Sequence, residues 1–400
     1  MAAKVSAIET IRIEEYPNLL WVRIIADDGA EGLGETFYGP GAAEAHIHDI
    51  IAPYLLGKDP HRIEQHQRNL TGYVGFSGAG AEMRGRSAVD IALWDLFAKS
   101  KDMPLHQALG GAVRDSIRVY NTCAGTRYVQ NRPTQGTDNF GLDANRGGFE
   151  DLDAFLNHAN ELAASLLEMG ITAMKIWPFD YAAEASRGHH ISPRDLATAM
   201  APFEKIREAH GDRMDIMAEL HSIWDRPTAI KISRALESID PLWVEDPVFM
   251  DNLSSLDEVA RATTAPIAVG ETRGGRADYR QLLEMESLSL IITDIAWGGG
   301  VSEARKMAAM ADAWHVPVAF HDCTGPVVLA VSTHLALHTH NCFIQEMVRA
   351  FYYGWYGDLV TQLPPVTKGE IAAPEGAGHG LSLQPDILKR PDCHIRRSKL

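Results

Sequence analysis

Three glutamates recur at equal spacing in the middle of the chain, and each lies at the end of a short apolar segment. Glu219, Glu245 and Glu271 are 26 residues apart, and their segments DIMAEL, PLWVED and APIAVGE have the composition of β-strands. One β/α unit of a (β/α)8 barrel takes about 30 residues. The spacing therefore predicts one carboxylate at the carboxyl end of each of three successive barrel strands.

The alternation of strand and helix extends well beyond these three units. Between about residues 116 and 350, segments with helical periodicity separate eight strand-like segments, which read IRVYNT, AMKIW, DIMAEL, LWVED, IAVGE, LIITDI, PVAFHD and FIQEMV. Eight strands separated by helices predict an α/β fold, a parallel (β/α)8 (TIM-like) barrel over residues 116–365.

The residues before the barrel have a different pattern. Segments 4–13 and 19–26 alternate apolar and polar residues around a Pro-Asn turn, and helical patterns follow until the Leu-Gly-Gly at 109–111. We therefore expect an N-terminal α+β domain at residues 1–115. Residues 366–400 begin rich in Gly and Pro, and we expect this C-terminal segment to pack back on the first domain.

The composition limits the kinds of molecule that the protein is expected to bind. The net charge of −16 and a sequence pI near 5.5 argue against nucleic acid and an anionic membrane surface. Apolar runs stay shorter than about 18 residues, so the expected location is cytoplasmic. The four cysteines lack metal-type spacing and are expected to be free thiols.

The three glutamates are candidate metal ligands. A single glutamate at a strand end is more often a solvated turn residue, but three in register at one barrel mouth are not explained that way. Convergent carboxylates need a cation between them, and ligation by oxygen alone favours a hard divalent ion. The sequence therefore predicts a Mg²⁺ site formed by Glu219, Glu245 and Glu271.

Other strand ends carry candidate catalytic residues. Asp294 and His321 end the sixth and seventh strands, and a carboxylate beside an imidazole fixes its tautomer and raises its basicity. Glu346 ends the eighth strand, and Lys175 on the second could hold a substrate carboxylate or oxyanion. His221 lies two residues after a candidate metal ligand, so strand alternation predicts that both side chains share a face.

Taken together, these motifs resemble the enolase superfamily, in its mandelate racemase/muconate lactonizing enzyme-like branch. The resemblance covers nearly the whole chain. In the first domain it rests on GLGETFYG and SAVDIALWDLFAKSKDMPLHQALGG, and in the barrel on the glutamate triad, the Asp294–His321 pair and Glu346. It implies that Mg²⁺ is held by the triad, and that proton abstraction next to a substrate carboxylate gives a metal-stabilised enediolate.

One departure from the family pattern refines the expected reaction. Many members carry Lys-x-Lys on the second strand, whereas this chain reads Lys175-Ile176-Trp177, so a base opposing His321 is missing there. The Glu219-x-His221 pair instead resembles the acid-sugar dehydratases, although these usually have Asp in place of this Glu. The resemblance therefore implies a lyase, in which His321 removes the α-proton, His221 protonates the departing β-hydroxyl, and the product is a 2-keto-3-deoxy acid.

Residues outside the strand ends are expected to select the sugar acid, an aldonate or aldarate. The candidate substrate-binding residues are Phe37, Tyr38, Trp177 and Trp355. The segment 122–150, rich in Gly, Asn, Asp and Arg, is either a lid or binding loop or a disordered surface insertion. A small-molecule carboxylate is the expected partner, and the protein is expected to be a homo-oligomer.

Three other functions remain alternatives. An epimerase, racemase or cycloisomerase would act on a related carboxylate, and a non-catalytic barrel would be expected to lose its catalytic residues. A hydrolytic metallo-barrel would need His-x-His on the first strand, which reads Tyr120-Asn121-Thr122. The His-x-His pairs at 46–48 and 338–340 lie on predicted helices, where residues two apart face different ways, so we do not assign them to a metal.

Overall fold

The structure, a computed structural model, describes residues 3–71, 79–129, 136–142 and 148–400. Two sheets organise these residues: a four-stranded antiparallel sheet and a larger sheet of mainly parallel strands. Parts of the 122–150 segment lie outside the described residues. None of the described helices is long and apolar enough to cross a membrane.

The strands of the antiparallel sheet are β1 (Val5–Ile13), β2 (Leu19–Ala26), β3 (Glu31–Phe37) and β14 (Cys393–Lys399). Their order in the sheet is β14-β1-β2-β3. Strand β3, which contains two glycines, was not predicted from the sequence. Both are required by the long helix that packs on the sheet, because a Cβ at Gly32 or Gly34 would lie 1.9 Å from the carbonyl oxygen of Ala92 or Ala88.

Helices cover one face of this sheet. In the described part of the first domain they are α1 (Pro40–His46), α2 (Ala52–Leu55), α3 (Ile63–Asn69), α4 (Ala81–Lys99) and α5 (Leu105–Ala108), with a π-helical turn at Ile47–Ile51. Helix α4 is buried along most of its length, since it packs against the sheet on one side and against the second domain on the other. It therefore fixes the first domain relative to the barrel.

The parallel strands form a (β/α)8 barrel. Over the described residues its strands are β4 (Ser116–Thr122), β5 (Ala173–Ile176), β6 (Asp215–Glu219), β7 (Trp243–Glu245), β8 (Ile267–Val269), β9 (Leu290–Thr293), β10 (Val318–Phe320) and β11 (Gln345–Met347). Neighbours from β4 to β10 pair in sequence order, and β11 pairs with β4. A parallel bridge between Val318 and Cys342 closes the ring.

Helices follow the barrel strands on the outside. Their bounds are α6 (Asp151–Asn157), α7 (Ala159–Glu168), α8 (Asp180–Ser186), α9 (Pro193–His210), α10 (Arg226–Leu236), α11 (Leu253–Ala262), α12 (Arg276–Leu283), α13 (Gly300–Ala313), α14 (Pro326–His338), α15 (Arg349–Phe351) and α16 (Gly357–Leu359). A π-helical turn lies at Tyr352–Tyr356, and 3-10 turns lie at Thr137–Asn139, Gly211–Arg213, Glu237–Ile239 and Ile387–Lys389.

The C-terminal segment contacts both parts of the molecule. The hairpin of β12 (Val366–Thr367) and β13 (Glu370–Ala372) pairs with β4 of the barrel through β13. The last strand, β14, pairs with β1 of the first domain, with Ala7 opposite Lys399. The segment therefore ties the barrel to the first domain.

An apolar layer fills the barrel interior. It is fully or almost fully buried and consists of Tyr120, Ala173, Met217, Trp243, Ala268, Leu290, Ile292, Ala319 and Ile344. Tyr120 and Trp243 meet edge to face, with ring centroids 5.3 Å apart. Because this packed layer closes the barrel interior, the polar side chains at the carboxyl ends of the strands form the floor of an open cavity.

Candidate active site

The three spaced glutamates converge at the carboxyl end of the barrel. Glu219 and Glu245 are the last residues of β6 and β7 and are register partners, whereas Glu271 lies two residues beyond β8. One carboxylate oxygen from each lies within 4.8 Å of the others. Gly270, which precedes the third glutamate, has a φ of 128°, and this turn directs the backbone toward the cluster.

Lys175 on β5 lies among these carboxylates. Its Nζ is 2.7 Å from Glu245 Oε1, 3.3 Å from Glu219 Oε2 and 3.1 Å from Glu346 Oε1. Burial lowers the lysine pKa, but the neighbouring carboxylates raise it by more, so the net pKa is well above the usual value. The ammonium is therefore charged and serves as an internal counter-ion.

One lysine does not neutralise the cluster. Burial raises the pKa of Glu245 to about 8, with a further contribution from the charges of Glu219 and Glu346 and an opposing one from Lys175. Burial also raises the pKa of Glu271. Buried carboxylates with raised pKa values gain most from an additional cation, and oxygen donors suit a hard divalent ion. The donor set fits Mg²⁺.

A histidine–aspartate pair lies beside the triad. His321 follows β10 and Asp294 follows β9, and their Nδ1 and Oδ2 atoms are 2.7 Å apart. The aspartate is itself held by the backbone N–H groups of Ala296 and Trp297. This leaves Nε2 of His321 facing the cavity, 3.4 Å from Glu271 Oε2.

The pKa of His321 depends on the triad. Burial lowers this pKa, but the charges of Glu271 and Glu346 and the hydrogen bond to Asp294 raise it well above the usual value. A cation that neutralised the neighbouring glutamates would remove the largest effect that raises this pKa. With a cation at the triad, His321 can therefore be unprotonated and act as a base.

A second histidine–aspartate pair lies across the cavity. His221 Nδ1 is 2.8 Å from Asp180 Oδ2, at the start of α8. Strand alternation predicted the orientation of His221, but β6 ends at Glu219. The orientation instead comes from a left-handed turn, with φ of 50° at His221 and 58° at Ser222. Burial lowers the histidine pKa, and the charges of Asp180 and Glu219 raise it to a net value of about 9.

The two pairs approach the cavity from opposite sides. β6 and β10 are four strands apart in the ring, so His221 and His321 face each other across the barrel mouth. Each imidazole also contacts an indole: the ring centroids are 5.8 Å apart for Trp177 and His221 and 5.1 Å apart for Trp297 and His321. The indoles restrict both rings, which is what acid–base groups acting on opposite faces of a substrate require.

The cavity between the two pairs has a volume of about 260 Å³. Its described lining consists of Tyr38, Ala79, Arg84, Thr122, Tyr128, Val129, Lys175, Trp177, Glu219, His221, Glu271, Thr272, Trp297, His321, Cys323 and Glu346. Tyr38 reaches it from the residue after β3, where φ is 64°. Tyr128 and Val129 bring the start of the 122–150 segment to the cavity wall.

Two of the candidate substrate-binding residues, Phe37 and Trp355, are buried and do not line the cavity. Phe37 is buried behind Tyr38, with ring centroids 4.6 Å apart, and its carbonyl accepts a hydrogen bond from Trp297 Nε1. Trp355 is buried and stacks on Tyr16 with ring centroids 4.6 Å apart. Both lie outside the set of described residues that line the cavity.

Glu346 completes the polar floor. One of its carboxylate oxygens accepts a hydrogen bond from the hydroxyl of Thr122, and the other accepts one from the backbone N–H of Asp322 at 2.9 Å. Burial raises its pKa, but Lys175 and His321 lower it by more, so the net pKa is below the usual value. Glu346 is therefore an anion that holds Lys175 in place.

The His-x-His pairs that were not assigned to a metal make structural contacts. His48 contacts Thr10 and Ser398, and His338 contacts the carbonyl of Gly111. Among the described residues, the glutamate triad is the single group of three or more side chains arranged to hold a metal ion. The four cysteines are free.

A capped (β/α)8 barrel with a carboxylate triad and acid–base pairs at its strand ends defines a class of barrel enzymes. Residues 158–387 match the family described as enolase C-terminal domain-like. Residues 6–110 match the mandelate racemase/muconate lactonizing enzyme N-terminal domain. The chain belongs to the enolase superfamily, in its mandelate racemase branch, which confirms the resemblance and the predicted fold.

Relatives and solved structures agree with this assignment. The chain is 28% identical over 395 residues to D-xylonate dehydratase of Haloferax volcanii, covering 97% of this chain and 88% of the relative. It is 30% identical over 360 residues to D-galactonate dehydratase of Variovorax paradoxus, covering 89% and 85%. Both relatives are named as dehydratases, which are lyases. A mandelate racemase subgroup enolase from Agrobacterium tumefaciens is 49% identical, with a TM-score of 0.88 over 99% of both chains.

Proposed function

We propose that the protein is a Mg²⁺-dependent dehydratase of sugar acids, which converts an aldonate or aldarate to a 2-keto-3-deoxy acid. The observation that supports this most strongly is the placement of two histidine–aspartate pairs on opposite sides of a cavity beside the glutamate triad. The names of the relatives, D-xylonate dehydratase and D-galactonate dehydratase, support the substrate class.

In this proposal Glu219, Glu245 and Glu271 hold the metal ion. Mg²⁺ would supply Lewis-acid polarisation of the substrate carboxylate, which makes the α-proton more acidic. Lys175 lines the same cavity as a permanent cation, so it can attract the substrate carboxylate and stabilise negative charge that develops on its oxygens. Glu346 keeps that ammonium in place.

His321 takes the α-proton on Nε2. Asp294 accepts the hydrogen bond of the Nδ1–H group, so the tautomer with a free Nε2 is favoured and the imidazolium that forms is stabilised. The electron pair of the broken C–H bond moves into the carboxylate system, which leaves an enediolate.

His221 delivers the proton to the leaving group. Asp180 is not a candidate metal ligand, so its charge and its hydrogen bond to Nδ1 would still favour the protonated imidazolium with a cation at the triad, and His221 can act as an acid. As the β C–O bond breaks, the hydroxyl accepts this proton and leaves as water. The enol that remains takes up a proton at the adjacent carbon and loses its hydroxyl proton, which gives the 2-keto-3-deoxy product. Because the two histidines lie on opposite faces, elimination is anti.

A second candidate reaction is epimerisation at the α-carbon. It is favoured by the same opposition of His221 and His321, since the second group could return a proton to the other face of the enediolate. The two reactions differ in their products: an epimer retains every hydroxyl, whereas dehydration releases water.

A screen of acid sugars with Mg²⁺ tests the proposal. The purified protein should convert at least one aldonate or aldarate to a product that reacts as a 2-keto acid with semicarbazide, and EDTA should abolish this. Epimer formation without a 2-keto product would replace dehydration by epimerisation. Absence of both products across the stereoisomers would contradict the proposal.

A further inference from the structure

Arg84 brings a positive charge from the first domain into the candidate active site. It lies in the first turn of α4 and lines the same cavity as Glu219, Glu271 and both histidines. Its guanidinium carbon is 5.5 Å from the ring centroid of Trp297 and 6.0 Å from that of Tyr38. These aromatic contacts hold the guanidinium at the cavity wall without using its in-plane N–H donors.

Those donors are almost entirely unused. Nη1 makes a long hydrogen bond of 3.4 Å to the carbonyl of Tyr38, and Nε is buried without an acceptor. Within the described parts of the chain, Arg84 forms no ion pair with a carboxylate. The other permanent cation of the lining, Lys175, lies within 3.3 Å of three carboxylates. Among the described lining residues, Lys175 is therefore already paired with protein carboxylates, whereas Arg84 has free hydrogen-bonding capacity.

An unpaired guanidinium at this position is costly unless something binds it. Arg84 is partly buried, and the loss of solvent lowers its pKa more than the charges of Asp294 and Glu82 raise it. Charged side chains removed from water are normally paired, and the planar guanidinium matches a carboxylate with two parallel hydrogen bonds. The missing partner is therefore expected to come from the ligand.

The position of Arg84 indicates which end of the ligand it meets. The triad and Lys175 lie on the barrel floor, whereas Arg84 belongs to the first domain and is separated from His321 by the indole of Trp297. A sugar acid whose reacting carboxylate lies at the triad would extend its far end toward the first domain.

Building on the proposed dehydratase function, we propose that Arg84 binds a second carboxylate at the far end of the substrate. The preferred substrates are then sugar diacids (aldarates), and not aldonates, which end in a neutral hydroxymethyl group. A terminal phosphate has a similar donor requirement but carries nearly two negative charges at neutral pH. A single unpaired guanidinium balances a carboxylate better, so the diacid is favoured.

The test compares matched aldonate and aldarate substrates with the full-length protein and Mg²⁺. Suitable pairs are D-galactonate with galactarate and D-xylonate with xylarate, extended to the other stereoisomers and to the corresponding phosphorylated aldonates. For the wild type, kcat/KM should be highest for a diacid. Arg84→Gln should lower kcat/KM for that diacid about 10- to 100-fold, since a charge-assisted bidentate contact is lost.

The variants separate this role from a structural one. Arg84→Gln should lower kcat/KM for the diacid at least about tenfold more than for the matched aldonate. Arg84→Lys, which keeps the charge but loses the planar fork, should recover part of the diacid activity. Arg68→Gln, at an exposed arginine on α3, should change neither substrate. Equal losses on diacid and aldonate would contradict recognition by Arg84.

The two proposals fail in different ways. If an aldonate or a phosphorylated aldonate is the best substrate and diacids are dehydrated more slowly, the diacid inference is wrong while the dehydratase function stands. If no acid sugar of any of the three types gives a 2-keto product, the dehydratase function is wrong and the inference built on it is overturned as well.

Discussion

Asp180 orients His221, with 2.8 Å between Oδ2 and the imidazole Nδ1. This relationship parallels that of Asp294 and His321, where the corresponding distance is 2.7 Å. The candidate site therefore contains two histidine–aspartate pairs, and in each of them a carboxylate oxygen contacts Nδ1 of the imidazole. In the proposed mechanism the pairs are chemically distinct, because one removes the α-proton and the other protonates the departing β-hydroxyl.

Asp180→Asn should affect elimination more than proton abstraction. Without the carboxylate, His221 loses the largest contribution that keeps its pKa high and also loses its fixed orientation. We expect dehydration to fall about 10- to 100-fold, less than the effect of removing an acid group altogether, which is about 10²–10⁴-fold. Exchange of the substrate α-proton in D₂O, followed by NMR, should stay within about threefold of wild type.

An exposed histidine–aspartate pair provides the control for that variant. His189 and Asp225 are 2.6 Å apart on the surface, so Asp225→Asn removes a similar contact between two residues outside the described cavity lining. It should leave both rates unchanged. A loss of α-exchange in Asp180→Asn equal to its loss of dehydration would show that Asp180 supports the whole site and not His221 alone.

Removal of one triad carboxylate should strongly weaken metal binding. In Glu245→Gln the cluster loses an anionic ligand and the main hydrogen-bond acceptor of Lys175, whose ammonium can then interfere with the remaining carboxylates. Isothermal titration with Mg²⁺ should show at least about a tenfold loss of affinity. Glu284→Gln, at an exposed glutamate after α12, should bind as the wild type does; wild-type affinity in Glu245→Gln would refute the triad.

A buried glutamate of the first domain should stabilise the segment that carries His321. Glu35 accepts hydrogen bonds from the backbone N–H of Val328, in the first turn of α14, and from Trp21 Nε1, at 2.9 and 2.7 Å. Glu35→Gln places an amide N–H₂ group where an acceptor is needed, which costs about 1–3 kcal/mol. We expect a lower urea midpoint, whereas Glu31→Gln, at an exposed position on the same strand, should change it little.

His334 should make stability depend on pH. Burial and the nearby His106 and His379 lower its pKa from 6.5 to about 3 in the folded protein. Between these values the unfolded chain binds a proton that the folded protein does not, so stability is present above pH 6.5 and falls as the pH drops toward 3. One proton corresponds to about 1.4 kcal/mol per pH unit.

The matched variants isolate that effect. His334→Gln should unfold in urea with a smaller loss of stability between pH 7 and pH 5 than the wild type, whatever its stability at pH 7. His340→Gln, at an exposed histidine, should keep the wild-type slope. Identical slopes in all three proteins would contradict a neutral, buried His334.

The barrel and the polar residues at its mouth could be predicted from the sequence, because a local sequence pattern identifies the end of each strand. A short apolar strand followed by an acidic or basic residue repeats once per β/α unit, so Glu219, Glu245 and Glu271, together with Lys175 and the Asp294–His321 pair, could be placed without tertiary information. The structure groups these side chains at the barrel mouth: Lys175, Glu219, Glu271 and His321 line the cavity. Glu245 contacts Lys175, and Asp294 contacts His321.

Residues from helices and turns could not be placed in this way. Asp180 begins a helix after β5 and Arg84 lies on the first domain, and nothing in their local sequence indicates that they meet the barrel mouth. The one available signal for Asp180 was an acidic residue at a helix start shortly after a barrel strand. The third strand of the first sheet was missed because its two glycines lower strand propensity, whereas contact with α4 requires them.

The most direct test measures α-proton exchange and dehydration in the same pair of variants. With a substrate identified by the acid-sugar screen, His321→Asn should lose both reactions, because no enediolate forms. His221→Asn should lose dehydration by about 10²–10⁴-fold while exchange in D₂O continues. Exchange that persists in His321→Asn, or normal dehydration by His221→Asn, would contradict the assignment of the base to His321 and the acid to His221.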